Sequence, residues 1–324
     1  MAEKKNFLRK YTLRLIGVIL LIFVLSRMDW PSLGKALQAV SIKSLLLVIP
    51  LFLLMFPVKS LRWFYILRTQ RIGISGGQAF GYYTSAIYWG LMTPGKLGEF
   101  IKVYYLSARG ISTGKAVFSV LVDRGVDVFF LLILSVVGVM QLLNILTWTL
   151  AVVLIVVSAV IFMVFCKYIK VILKKSAPLI TKIAKKLKKD TNPEAFLEEL
   201  NQDIDRFTPG KLGIILVVSF LSWVVYVVPL YYLGTMLRLD ISAPQLVIGI
   251  LLSSGISMLP ISIGGVGTRD SFLILYLGQY GILKEKAVVF SLMFVYMYVV
   301  AIIFSWLVYV SHKDTQRSTK GEIE

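Results

Sequence analysis

One apolar segment, broken in its middle by glycine and proline, occurs twice in this chain, and that pairing restricts it to a small set of membrane folds. The first copy opens at Ile74-Ser75 with Gln78, runs apolar to Met92, and breaks at Thr93-Pro94-Gly95-Lys96-Leu97-Gly98-Glu99. The second opens at Ile241-Ser242 with Gln245, runs apolar to Leu259, and breaks at Pro260 and Gly264-Gly265-Val266-Gly267-Thr268-Arg269-Asp270. Beyond the breaks, Gly110-Ile111 with Lys115-Ala116-Val117 matches Gly281-Ile282 with Lys286-Ala287-Val288. Gln78 and Gln245 are 167 positions apart and Gly110 and Gly281 are 171 apart, so the second copy is longer at its break.

Of the 324 residues 57% are hydrophobic, and mean hydropathy is +0.81, which makes this an integral membrane protein. In a soluble chain a net charge of +18 points to nucleic acid. In one this apolar it points to basic loops against anionic lipid, and no nucleic-acid partner is expected. A single cysteine, Cys166, and a single histidine, His312, leave no cysteine or histidine cluster for a metal, and no cofactor is expected. No Gly-x-x-x-x-Gly-Lys-Ser/Thr motif occurs, so movement driven by this chain is downhill or ion-coupled.

Full spans are expected near 11–28, 44–66, 116–143, 148–168, 210–237 and 287–310, with 11–28 retained as a first span. Segments 78–109 and 244–282 each hold two shorter apolar pieces, as a re-entrant hairpin or a pair of short crossings. The expectation is an all-α polytopic membrane protein of about six full transmembrane helices plus two Gly/Pro-broken hairpins. With the N-terminus in the cytoplasm, most of the 35 lysines and arginines fall inside, as the positive-inside rule asks. The two copies then enter from opposite sides and form an inverted repeat. Both termini, including the tail 311–324, are expected in the cytoplasm of a cell-membrane protein.

Residues 168–207 form the one sizeable polar stretch. Ile172, Leu179, Ile180, Ile183 and Leu187 recur at helical spacing among seven lysines, the pattern of an interfacial helix drawn to anionic phospholipid. Asn192-Pro193 then starts a second helix, with a stripe of Phe196, Leu200, Ile204 and Phe207 flanked by acids. The two read as a hairpin lying on the membrane, with Asp203 and Asp205 both on its solvated face.

Charges at membrane depth are the candidate site, because each costs about 2.5–3.5 kcal/mol at the bilayer centre on insertion scales and needs a partner or a polar cavity. Gly95, Lys96, Gly98, Glu99 and Lys102 at the first break, and Gly264, Gly265, Gly267, Arg269 and Asp270 at the second, form one set. A new half-helix starting near Leu97 would offer its amides and Lys96 to an anion. The structural alternative pairs Glu99 with Arg269 and Lys96 with Asp270. Asp123, Arg124 and Asp127 form a second set, either an internal ion pair or a proton-coupling site. Lys59 and Arg62 are expected to snorkel to the inner headgroups.

On Thr93-Pro94-Gly95-Lys96-Leu97-Gly98-Glu99, Asp123-Arg124 and Gly264-Gly265-Val266-Gly267-Thr268-Arg269-Asp270, the chain resembles the lysylphosphatidylglycerol synthase transmembrane region family of flippase-like membrane proteins. Asp270 stands where the resemblance leads one to expect glutamate. In the bifunctional multiple peptide resistance factors, this region moves aminoacylated phosphatidylglycerol between leaflets. Their aminoacyltransferase domain is not expected here, because about 14 residues follow the last expected span, so enzyme activity is not implied. The resemblance implies a single flippase-like domain over 1–324 that translocates a phosphate-bearing lipid, an aminoacylated phospholipid or a polyprenyl-phosphate-linked sugar. A lipid-modifying synthase or glycosyltransferase would be its partner. A transporter of a small water-soluble solute is the competing reading, and a membrane lipid or glycan transferase a third.

Overall fold

Both broken segments begin with the same cap. In a computed structural model that describes residues 30–38, 40–142, 193–258, 262 and 265–321 and scattered helical positions between 149 and 164, Gln78 Oε1 accepts from the Ser75 N–H at 3.1 Å. Gln245 Oε1 accepts from the Ser242 N–H at 3.2 Å. Reaching back to the cap amide satisfies a donor that a helix start leaves orphaned. The helices so started are α4 (Gly76–Leu91) and α9 (Ala243–Ser257).

The elements, all helical among the described residues, follow in order. Ahead of α4 come α1 (Trp30–Gln38), α2 (Ile42–Leu53) and α3 (Met55–Thr69); after it come a 3-10 turn (Pro94–Phe100), α5 (Ile101–Ser107) and α6 (Thr113–Leu142). α7 (Pro193–Arg206) and α8 (Pro209–Met236) precede α9, and α10 (Thr268–Gly278) and α11 (Lys284–Gly321) follow it. Among the described residues three helical stretches are long and apolar enough to cross a membrane: Ile42–Thr69, Pro209–Met236 and Lys284–His312. Pro57, which cannot donate to the Leu53 carbonyl, explains the interruption between α2 and α3 at Leu54. The expected span at 11–28, most of that at 148–168, the basic half of the polar loop, and Gly264 lie outside the described residues.

The resemblance between the copies continues at the level of backbone geometry. Arg71 and Arg238, just ahead of each copy, both take positive φ, at 59° and 47°. After each break the chain turns at a glycine, Gly110 or Gly281, with φ of 78° or 75°. The Ile111 N–H reaches the Leu106 carbonyl and the Ile282 N–H the Leu277 carbonyl, each at 3.3 Å, closing the same C-terminal motif.

Each segment doubles back on itself. Tyr82 on α4 stacks on Tyr105 of α5 at 5.1 Å, and the Tyr276 hydroxyl of α10 donates to the Gln245 carbonyl of α9 at 2.7 Å. The returning arms α5 and α10 have 7 and 11 residues. At 1.5 Å per residue neither crosses a hydrocarbon layer of about 30 Å.

The two halves interlock. α4 lies antiparallel to α11: Tyr82 meets His312 at 4.9 Å, Tyr88 stacks on Tyr309 at 5.7 Å, and the Tyr298 hydroxyl donates to the Leu91 carbonyl. α9 lies antiparallel to α6, with Leu252 against Gly138 and Gly255 against Ser135. Each hairpin thus rests on the last helix of the other copy, around a core that includes Trp63, Tyr83, Leu230, Leu273 and Phe290.

α7 corrects one expectation. Asp203 is fully buried, accepting from Gln70 Nε2 at 2.7 Å and from Arg206 Nη1 at 3.0 Å. Ser112 donates to Glu199 at 2.5 Å, and Phe207 packs edge-on against Phe118. Ile204 and Phe207 of the apolar stripe therefore dock on protein, and Asp203 does not belong to a solvated face. Periodicity identifies the stripe; it does not say what the stripe lies against.

Candidate functional site

The first break is pinned by a threonine. The Thr93 hydroxyl donates toward the Trp89 and Gly90 carbonyls at 3.0 and 3.2 Å, and its oxygen accepts the Gly98 N–H at 2.6 Å. A Cβ on Gly98 would lie 2.0 Å from the Trp89 carbonyl oxygen, so only glycine lets the turn fold flat onto α4. Between Thr93 and Gly98, Gly95 and Lys96 both take left-handed backbone, with φ of 62° and 55°. Lysine in that region costs roughly 1–2 kcal/mol, and such strain persists where surrounding structure imposes it.

Behind the break sits a buried charge cluster. The Arg62 guanidinium reaches Asp123 Oδ1 at 2.6 Å, Asp127 Oδ1 at 2.6 Å and Ser219 Oγ at 3.1 Å. Lys102 Nζ lies 2.6 Å from Asp123 Oδ2 and 4.4 Å from the Tyr83 ring centroid. Arg124 bridges the group: it reaches Glu99 at 2.8 and 2.9 Å and Asp127 Oδ2 at 3.0 Å. Lys59 stands 3.9 Å from Asp127 Oδ2. Arg62, Lys102 and Asp123 have no solvent exposure at all. Removing any one partner would strand a charge in the interior.

At the second break, Gly265 and Gly267 take positive φ, 78° and 86°, and α10 begins. Asp270 accepts the Gly267 N–H at 2.9 Å and clasps its neighbour, with Arg269 Nε and Nη2 at 3.0 and 2.6 Å from Oδ1. The carboxylate thus caps the helix and orients the guanidinium, which lies 5.0 Å from the Phe294 ring centroid.

Between the breaks lies a cavity of about 100 Å³. The first break gives it Thr93, Gly95, Lys96 and Glu99; the second gives it Arg269, next to Ser257 and Met258 of the same hairpin. Lys59, Tyr83, Arg124, Trp223, Tyr226 and Tyr298 complete its polar and aromatic walls. The side chain of Lys96 makes no ion pair or hydrogen bond among the described residues. Gly98, Lys102, Asp123, Asp127, Gly265, Gly267 and Asp270 stand behind these walls and do not line the cavity.

Several expectations change. Glu99 pairs with Arg124 and Lys102, and Asp270 with Arg269, so the two breaks are not joined by Glu99–Arg269 or Lys96–Asp270 pairs. A 3-10 turn precedes α5, which starts at Ile101, and the Gly98 amide is spent on Thr93. Arg62 does not snorkel; it is the hub of the cluster, and Lys59 faces the cavity. Asp123, Arg124 and Asp127 do form the internal ion pairs. Sequence reading missed Arg62, Lys59, Ser219, Tyr226 and Tyr298 as members of the site. A helix-face plot of α3 would have put Lys59 and Arg62, three apart, on one face.

Chain-wide comparison bears on what this cavity belongs to. The profile of the lysylphosphatidylglycerol synthase TM region matches residues 12–305, a range that includes both hairpins and the cluster. The chain belongs to this family. The chain is also similar to a "UPF0104 membrane protein" of Methanothermobacter thermautotrophicus. It is 22% identical over 285 residues, which is 82% of this chain and 84% of that protein.

Proposed function

We propose that this membrane protein is a lipid translocase that passes a phosphate-bearing headgroup between the two broken hairpins. The carrying observation is the cavity itself: one void bounded by both breaks, with Lys96 from the first and Arg269 from the second. Cations at membrane depth beside aromatic walls suit an anionic head whose chains stay in lipid. The headgroup comes from an aminoacylated phospholipid or a polyprenyl-phosphate-linked sugar, both of which carry phosphate.

The reading includes an inverted repeat. Its support is that α4 and α9, the matched first arms, lie antiparallel to α11 and α6, the matched last helices of the opposite copies. Two such halves around one central site are the architecture of alternating access. In this reading both termini and α7 face the cytoplasm of the cell membrane, where Arg68, Arg71, Arg109 and Lys115 gather. The Lys-rich stretch before α7 holds anionic phospholipid, and a synthase or glycosyltransferase supplies the substrate. No chemistry is assigned to the site, because its carboxylates are all engaged by cations.

The test is transbilayer movement of fluorescent phospholipids in vesicles containing the purified chain, followed by chemical quenching of the outer leaflet. Native protein should accelerate exchange, and Lys96→Ala and Arg269→Ala should each slow it by about tenfold or more, the worth of a charge-assisted hydrogen bond. Equal rates for all three would end the proposal. Uptake of a soluble phosphate compound without lipid movement would favour a solute transporter instead.

A further inference from the structure

The charges around the cavity bear on how much charge its occupant carries, provided the headgroup-binding reading above holds. Lys59, Arg62, Lys96, Lys102 and Arg124 share only three carboxylates, Glu99, Asp123 and Asp127. Across the cavity Arg269 and Asp270 cancel each other. Among the described residues two positive charges are left without a counter-charge.

Geometry says which two. Arg62, Lys102 and Arg124 each hold a carboxylate at 3.0 Å or closer. Lys59 comes no closer than 3.9 Å to an oxygen that Arg124 already occupies at 3.0 Å. Lys96 reaches no carboxylate among the described residues, and left-handed backbone holds it at the cavity wall. Uncompensated buried cations are costly, and a bound anion is what relieves that cost.

We infer that the cavity selects a headgroup with two negative charges, a phosphomonoester or a diphosphate, over a phosphodiester with one. Its countercharges are Lys96 and Lys59, whose own contact with Asp127 is long, at 3.9 Å. A phosphomonoester near neutral pH offers about −1.5 to −2 of charge and three acceptor oxygens, against the single charge of a diester. Of the two headgroups proposed above, the aminoacylated phospholipid adds a positive amine to a site already in excess and is the disfavoured one, whereas a polyprenyl-linked sugar fits where its link is a diphosphate.

Ligand-dependent melting of the detergent-solubilised full chain, titrated with decyl phosphate, didecyl phosphate and inorganic pyrophosphate, tests this. Decyl phosphate should bind about tenfold or more tighter than didecyl phosphate. Lys96→Gly should remain folded, because glycine suits the backbone there, and should lose the preference; Lys96→Arg should keep it. Equal binding of the two amphiphiles to native protein, or an unchanged preference in Lys96→Gly, overturns the inference. Pyrophosphate binding as tightly as decyl phosphate keeps the charge selectivity and assigns it to a soluble ligand. Selective binding of decyl phosphate without lipid movement in vesicles keeps this inference and discards the translocase. Movement of every phospholipid alike, with no preference in binding, does the reverse.

Discussion

Arg62 and Asp123 meet at 2.6 Å with neither side chain exposed, although 61 positions separate them in the chain. The same guanidinium holds Asp127 and Ser219, so one residue of α3 ties α6 and α8 together behind the cavity.

Replacing Arg62 with methionine should therefore cost about 3–5 kcal/mol, because two buried carboxylates lose their main partner. Arg62→Lys should recover little of this, since a single ammonium cannot hold both carboxylates and the serine together. Thermal unfolding in detergent measures both. A loss below 1 kcal/mol for Arg62→Met would mean the cluster relaxes without it.

Gly98→Ala should disrupt the first hairpin, since the added methyl has no room 2.0 Å from the Trp89 carbonyl oxygen. Gly77→Ala, with nothing within 4 Å of the new carbon, should be neutral or stabilising by up to about 1 kcal/mol. Melting temperature and limited proteolysis of the pair check the contrast.

Lys96→Gly should raise stability by about 1 kcal/mol while weakening anion binding, because it removes left-handed strain and an unpaired cation together. Lys96→Ala keeps the strain, so its stability should lie below that of the glycine variant. Unfolding curves taken without ligand separate the two.

Acid should tighten the docking of α7. Burial pushes the Asp203 carboxyl above its usual value, against the opposing pull of the Gln70 hydrogen bond, Lys115 and Arg206. A carboxyl raised in the folded state contributes stability below its unfolded pKa and loses it as pH rises through the folded one. Amide exchange along α7 should thus slow as pH falls into the carboxylate range, after correction for intrinsic exchange. Asp203→Asn should flatten that dependence. An identical pH profile in native and variant would contradict this assignment.

The hairpins and their start points were legible because they rest on short-range chemistry: Ser75 with Gln78, Ser242 with Gln245, and glycine at most of the turns where φ is positive, among them Gly95, Gly110, Gly265, Gly267 and Gly281. Asp123 and Asp127, four apart on one helix, announced a charged face. Their partner did not announce itself, because Arg62 reaches them only once α3 and α6 pack, and no local pattern encodes that pairing. The same holds for Arg124 with Glu99, where proximity in space arises from the fold-back of the first hairpin. Asp203 misled for a different reason. In a membrane protein the apolar faces can point outward to lipid, so an acid beside an apolar stripe carries no information about which side is interior.

The exchange of helices between the halves has a consequence for biogenesis. α4 finds its resting surface on α11, where Tyr298 meets Leu91 across a sequence separation of 207 residues, so the partner leaves the ribosome long after it. The first hairpin, with Lys96 and Glu99 at its tip, must therefore wait in or beside the membrane without the helix that will shelter it. Whatever inserts this protein has to hold a charged loop in a non-aqueous setting until α11 has been made. The early half is then the one that depends on assistance, and the late half locks the product.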